Sequence, residues 1–152
     1  MNTNNMKLLD REKFIFGSLF LLANKLQVIG DQFLGDDMTT KQWFLTVMIM
    51  QFQDRSPTLG EVAALMGSSH QNVRQLAQKL QEKEFLNIYK DEQDGRIIRL
   101  QLTEKSHTYW KTREAKGDDF INRLFKDITE DEINHVGNCF NKLFQSIESW
   151  RG

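Results

Sequence analysis

Residues 58–102 read TLGEVAALMGSSHQNVRQLAQKLQEKEFLNIYKDEQDGRIIRLQL, and their reading decides the fold. Val62, Met66, Val73 and Leu76 are apolar at the spacing by which two short helices share one core, and Leu80 extends the stripe. Ala63 is small where the helices must cross closely, and Gly67 falls where the turn between them calls for a positive φ. Ser68 departs from the pattern, because an apolar residue is usual there. Beyond the second helix, Leu86 and Ile88 alternate with polar positions, as do Ile98, Leu100 and Leu102, around the turn-rich Asp91-Glu92-Gln93-Asp94-Gly95. Helix, turn, helix and hairpin in immediate succession is the order of a winged helix-turn-helix, which sets one helix into a DNA major groove.

Outward from this stretch, Ser or Thr followed three residues later by Glu or Gln recurs at Thr39/Gln42, Thr58/Glu61, Ser68/Gln71 and Thr129/Glu132. Each pair can cap a helix start reciprocally, so together they segment the chain. A helix over residues 8–34 carries Ile15, Leu19, Leu22, Leu26, Ile29 and Phe33 in steps of four and three, with Phe16 and Phe20 beside them. A second, over 40–53, is apolar around much of its circumference (Trp43, Phe44, Val47, Met48, Ile49, Phe52) and is expected to be buried on more than one side. Residues 54–57, with Pro57 beside the capping Thr58, make the turn that follows. A fifth helix is expected over 103–126, with a bend or a solvated span at its polar middle, 111–119. A sixth, over 130–150, repeats the three-four seam with Ile133, Val136, Phe140, Leu143, Ile147 and Trp150. The expected architecture is mostly α with a small β-hairpin wing. It comprises an N-terminal dimerisation helix (1–38), a winged helix-turn-helix DNA-binding domain (39–102) and C-terminal dimerisation helices (103–152).

At 152 residues the chain is long enough for one real core, and one proline among nine glycines argues against long linkers. The longest apolar run, residues 19–23, is far short of a bilayer span, and the N-terminus MNTNNMKLLDREK lacks a signal-peptide layout. One cysteine excludes an internal disulfide framework, and a cytoplasmic protein is expected. The net charge of −1 does not itself point to DNA. Residues 68–102 carry six Lys/Arg against five Asp/Glu, leaving +1 there and −2 elsewhere.

With these residues laid out, the chain resembles the MarR family of bacterial transcriptional regulators over nearly its whole length. The most specific match is the wing, DEQDGRIIRLQLTEKS, with Asp94, Arg96, Leu102 and Thr103 at the family's Asp-x-Arg and Leu-Thr positions. TLGEVAALMG resembles the family's third helix, and VRQLAQKLQEKEFL its recognition helix and exit. Three positions depart: Glu84 and Ser106 stand where the family usually has Gly, and Gln93 where it often has Arg. The resemblance implies a homodimer, paired through residues of 8–34 and 130–150, acting as a ligand-responsive repressor on a near-palindromic operator; the same two seams equally suit packing of the first helix on the sixth within one chain, and the two uses are compatible.

Candidate DNA contacts follow from the fourth helix, whose apolar positions 73, 76, 77 and 80 turn His70, Gln71, Arg74, Gln75 and Gln78 outward. Ser69 through Gln75 approach base edges. Arg74 has the fork for guanine, while Gln71 or Gln75 suits adenine. Ser68 and Ser69 lie at the helix N-terminus, where free N–H groups suit a phosphate. By resemblance, Arg96 reaches the minor groove with Asp94 bracing it. The resemblance also implies a small aromatic effector, for which Phe16, Phe20, Trp43, Met48 and Met66 are candidate lining; taken singly, each residue type is found far more often as core packing.

No enzyme is indicated. His70, His107 and His135 fall in different segments, and no nucleophile triad, phosphate loop or paired-cysteine pattern occurs. Asp131, His135 and Cys139 fall at i, i+4 and i+8, a spacing open to metal ligation or redox chemistry but common on any helix with a polar side. No cofactor or metal is expected. The alternative to a regulator is a dimeric small-molecule-binding or protein-interaction module of the same fold with weak or lost DNA binding.

Overall fold

The computed structural model describes residues 7–53 and 55–150. Six helices and one hairpin follow in order: α1 (Leu8–Leu34), α2 (Thr40–Met50), α3 (Leu59–Met66), α4 (His70–Glu82), β1 (Leu86–Lys90), β2 (Ile98–Leu102), α5 (Glu104–Phe125) and α6 (Glu130–Ser149). The chain divides into two compact units, Met1–His107 and Thr108–Gly152.

Three of the four reciprocal caps form as read: Thr39 with Gln42, Thr58 with Glu61, and Thr129 with Glu132 each exchange both hydrogen bonds. The fourth does not. The N-cap of α4 is Ser69, whose hydroxyl accepts from the Asn72 N–H, so the helix starts one residue later than the Ser68/Gln71 reading placed it. Ser68 instead accepts from Asn72 Nδ2 at 2.8 Å. Asn at N3 cannot reach back as Gln or Glu does, so it serves both serines from the side.

In the first unit α2, α3, α4 and the hairpin share one core. Leu45 and Ile49 of α2 meet Val62 and Ala63 of α3, Val73, Ala77 and Leu80 of α4, and Leu86 and Leu100 of the hairpin, all buried. The strands pair antiparallel with Leu86 opposite Leu102 and Lys90 opposite Ile98. Thr58 bridges Arg99, and the Leu100 N–H donates to the Pro57 carbonyl at 2.9 Å, so the segment entering α3 forms a third edge of the sheet.

Helix α2 corrects an expectation. It buries one stripe, Gln42, Leu45, Thr46 and Ile49, and leaves Phe44 and Met50 exposed. It also stops at Met50, three residues early, and Gln53 has a positive φ of 52°. Of the turn expected over 54–57, Asp54 lies outside the described residues. The lead from α1 into α2 is held by Asp31, whose carboxylate accepts the Thr40 N–H at 2.6 Å, and by Thr40 Oγ1 donating to the Gln27 carbonyl.

Both helices of the winged segment end in the same backbone device. After α3, Gly67 (φ 61°) donates to the Ala64 carbonyl and Ser68 to Ala63. After α4, Glu84 (φ 63°) donates to Gln81 and Phe85 to Leu80. These are two Schellman closures, one on glycine and one on a residue that carries a Cβ. The Thr103 hydroxyl donates to the Glu84 carbonyl at 2.7 Å and accepts from the Ser106 N–H, while buried Ser106 donates to the Phe85 carbonyl at 2.6 Å. The exit from α4 is thereby tied to the start of α5.

Helix α5 runs unbroken through Gly117, and residues 111–119 are mostly exposed, the solvated span expected there. Helix α6 buries none of its residues, and Val136, Phe140, Leu143, Phe144 and Ile147 stand exposed.

Candidate nucleic-acid interface

Helix α4 is amphipathic in the sense a recognition helix requires. Val73, Ala77 and Leu80 are buried and Leu76 half-buried, while Ser69, His70, Gln71, Arg74, Gln75 and Gln78 are exposed. The six-residue face includes no acid, and residues 68–81 carry Arg74 and Lys79 against no Asp or Glu. Ser69 takes up the Asn72 N–H and, through its carbonyl, that of Val73. The amides of His70 and Gln71 are left at the positive end of the helix, where a phosphate oxygen is favoured. The His70 ring lies over Gly60, where a Cβ would come within 3.3 Å of it, so His70 packs on the start of α3. No hydrogen bond or ion pair among the described residues ties down Arg74 or Gln75.

The wing carries Arg96 at its tip, with its side chain 92% exposed. Asp94 holds it twice: Oδ1 accepts from Nε at 3.1 Å, and Oδ2 from Nη2 at 3.1 Å. The Arg96 guanidinium and N–H keep the Asp94 carboxyl below its usual range. Asp94 therefore presents an oriented fork to solvent without neutralising it deep in the protein.

Two wing residues escaped the reading of the sequence. The Asp91 carboxylate accepts from the Gln93 and Asp94 N–H groups (2.9 and 3.0 Å) and from Arg99 Nε. Arg99 Nη1 reaches the Ser56 carbonyl at 2.8 Å. Their signal was present, since an acid at the start of the seven-residue loop and an arginine one residue into β2 are diagonal neighbours on one face of the hairpin, with Arg99 itself opposite Tyr89.

The candidate effector residues are placed less tightly. Phe16 and Phe20 are exposed on α1 and stack edge to face with ring centroids 5.1 Å apart; Trp43, Met48 and Met66 are half-buried on α2 and α3. A cavity of about 360 Å³ in this unit is lined instead by Ile49, Met50, Gln53, Arg55, Ser56, Leu100, Gln101, Leu102 and His107. Of the spaced trio on α6, His135 Nδ1 engages the Asp131 main-chain oxygen at 2.6 Å rather than its carboxylate, and Cys139 is exposed. Among the described residues no three His, Cys, Asp or Glu side chains cluster as metal ligands.

A capped, amphipathic helix beside an Arg-tipped hairpin makes a winged helix-turn-helix fold, and the likeness to the MarR family read from the sequence extends to the fold. A MarR/EmrR family transcriptional regulator from Acinetobacter sp. ADP1 superposes with a TM-score of 0.75 at 16% identity, over 98% of this chain and 99% of that one. MepR of S. aureus, solved as a DNA complex, superposes with a TM-score of 0.74 at 21% identity, over 86% and 97%. By sequence the chain is similar to the transcriptional repressor MprA of Escherichia coli (strain K12), 21% identical over 129 residues that span 84% of this chain and 70% of the relative. No family model matches the chain.

Proposed function

We propose that this protein is a homodimeric, DNA-binding transcriptional regulator, a repressor of the MarR type, acting in the cytoplasm and not an enzyme. The observation that carries the reading is the exposed, acid-free face of α4 beside the oriented Arg96 wing, in a fold shared over 86% of the chain with MepR, which was solved on DNA. In this reading Arg74 forks onto guanine, Gln71 and Gln75 serve adenine, and Ser68, Ser69 and His70 meet the backbone. Arg96, braced by Asp94, enters the minor groove.

One winged helix reads too few base pairs for tight specificity, which calls for two copies on a near-palindromic site. Support for a dimer lies in the unburied apolar faces. Ile15, Leu22 and Leu26 of α1 are all more than 40% exposed, and so are Val136, Phe140 and Leu143 of α6. Covering such a half-exposed residue contributes about 1 kcal/mol, and a lone chain rarely leaves faces of that size wet. Helix α1 is by length and composition also apolar enough to cross a membrane (mean hydropathy 1.3), and a dimer seam accounts for that apolarity equally well. The functional division is residues 1–38 and 103–152 for pairing and 39–102 for DNA. A small aromatic effector bound near Phe16, Phe20, Trp43, Met48 and Met66 shifts the dimer to a spacing that no longer matches the grooves.

The test is a titration with duplex DNA at two salt concentrations. Tight, salt-sensitive binding that weakens in Arg74→Ala, by about 1–3 kcal/mol at a guanine position, and again in Arg96→Ala supports the regulator. Affinity unchanged in both variants overturns the site. The net charge of −1 and Gln93 at the wing favour a second reading, a dimeric binding module without DNA affinity; the same titration returns it if wild type does not bind.

A further inference from the structure

We infer that Arg99 and Asp91 form a latch that positions the wing, so that Arg99 governs DNA affinity through Arg96 and makes no DNA contact of its own. The inference rests on the DNA-binding reading above. It starts from an unbroken chain of hydrogen bonds across the wing. The Ser56 carbonyl accepts from Arg99 Nη1 at 2.8 Å, and Arg99 Nε donates to Asp91 Oδ2. Asp91 Oδ1 accepts the Asp94 N–H at 3.0 Å, and the Asp94 carboxylate holds both Nε and Nη2 of Arg96. One guanidinium thus joins the wing loop to a segment 43 residues earlier, immediately before the cap of α3.

Burial separates the two arginines by role. The Arg99 side chain is 30% exposed and its Asp91 partner 13%, whereas Arg96 is 92% exposed. Arg99 spends two of its donors inside the protein, in a fork that an ammonium cannot reproduce. The Arg99 fork and two loop amides hold the Asp91 carboxyl below its usual range, so the latch is ionised at neutral pH. Without Arg99 the loop is still closed by the Asp91 N–H to Ile97 and the Ile97 N–H to Asp94, both 2.9 Å, and β2 is still held to the lead of α3 by the Leu100 N–H on the Pro57 carbonyl, but the Asp91 end of the loop loses its side-chain tie to that segment. Arg96 then meets the groove from a wider spread of orientations, and its contact is lost more often than made.

The experiment uses the full chain as wild type, Arg99→Met, Arg96→Ala and the double variant. The probe is a duplex of about 30 base pairs selected by the wild-type protein from a random pool. Arg99→Met, which keeps the apolar stem, should weaken binding roughly three- to tenfold in the wild-type background and not at all beside Arg96→Ala. Equal losses in both backgrounds, or none in either, overturn the inference. Arg99→Lys keeps charge and bulk and should behave as Arg99→Met; full affinity in the lysine variant overturns the latch as well. Amide exchange at Gln93 and Asp94, measured without DNA, should quicken several-fold in both Arg99 variants, and unchanged exchange refutes the latch whatever DNA does. A wild type that selects no duplex defeats the regulator reading and with it the role in affinity, while the exchange rates still judge the latch.

Discussion

Glu84 offers the sharpest test of the local physics, because the fold asks it to do what glycine does at Gly67. Both residues follow a helix, both close a Schellman turn, and their φ angles are 63° and 61°. For an L-residue the left-handed conformation costs about 1–2 kcal/mol, because Cβ crowds the following carbonyl. Glycine avoids that strain but loses about 0.5–1 kcal/mol more backbone entropy on folding. The Glu84 side chain offsets little. Its ion pair with Lys105 spans 3.8 Å with the Glu84 side chain 84% exposed, a geometry that contributes at most about 1 kcal/mol. The bond from the Thr103 hydroxyl goes to the Glu84 main-chain carbonyl and survives any substitution.

Glu84→Gly should therefore stabilise the protein by about 0.5–1 kcal/mol, or about 2–4 °C in melting temperature for each kcal/mol in a chain of this size. Glu84→Ala removes the ion pair and keeps the strain, so it separates the two contributions: it should be neutral or slightly destabilising. Gly67→Ala should lose about 1 kcal/mol, by the same strain with the sign reversed. Urea titrations of the four proteins at one protein concentration read all three differences. If Glu84→Gly is no more stable than Glu84→Ala while Gly67→Ala loses stability, the left-handed strain assigned to Glu84 is wrong.

Further consequences can be checked in parallel. Glu61 is held down to about 2 by the forked Arg55 (2.8 and 3.0 Å) and the Thr58 N–H, against an ordinary value of 4.5. A depressed folded pKa means the unfolded chain binds the extra proton first, so this stabilisation is complete above pH 4.5 and drains away toward pH 2. Glu61→Gln should flatten the melting temperature across that window, and an equally steep slope in the variant would exclude Glu61 as its source. Phe140→Glu and Leu143→Lys on α6, whose side chains are 41% and 43% exposed, should halve the mass seen by light scattering without lowering helicity; an unchanged mass removes α6 from the interface. If Arg74, Lys79 and Arg96 of each protomer, whatever atoms they touch, each release about one counterion from the duplex, the slope of log K against log salt should be about −5 for a dimer and become about 2 units shallower in Arg96→Ala. A slope near −10 would mean that cations outside this face carry the binding.

The parts of the fold legible in the sequence were those set by local chemistry. Helix α1 fell on the residues its three-four spacing marked, and three of four reciprocal caps formed because each requires only two side chains three residues apart. The failures share a cause. Ser68 carried the written signal of a cap, yet Ser69 took the role, since the Gly67 closure draws the Ser68 N–H back to Ala63 and leaves Ser69 first in the extended conformation a cap needs. Helix α2 looked buried all round because its composition is apolar, but one core has one side, and Phe44 and Met50 lie off it. The Asp94–Arg96 brace was legible because both residues sit in one turn; the Arg99–Ser56 bond, 43 residues apart, was not.

The same distinction between local and summed properties bears on the charge. A net charge of −1 gives no long-range attraction to a polyanion, and no steering of encounter comes from the chain as a whole. Binding depends on the field within a Debye length of the phosphates, about 8 Å at physiological salt, and that field belongs to the face rather than to the molecule. On α4 the acids are absent from residues 68–81, the helix start adds its partial positive charge, and Arg74 and Lys79 are exposed. On the wing two arginines stand within three residues, yet Arg99 is spent on Asp91 and Ser56, so Arg96 alone faces outward. With so few cations, the proposed binding should show low affinity for arbitrary DNA, with a larger share of its energy coming from base-edge contacts that only the right sequence satisfies. A weakly charged winged helix is on this argument a more discriminating reader than a strongly basic one, provided its forks are held in place, which is the work of Asp94 and of the Asp91–Arg99 latch.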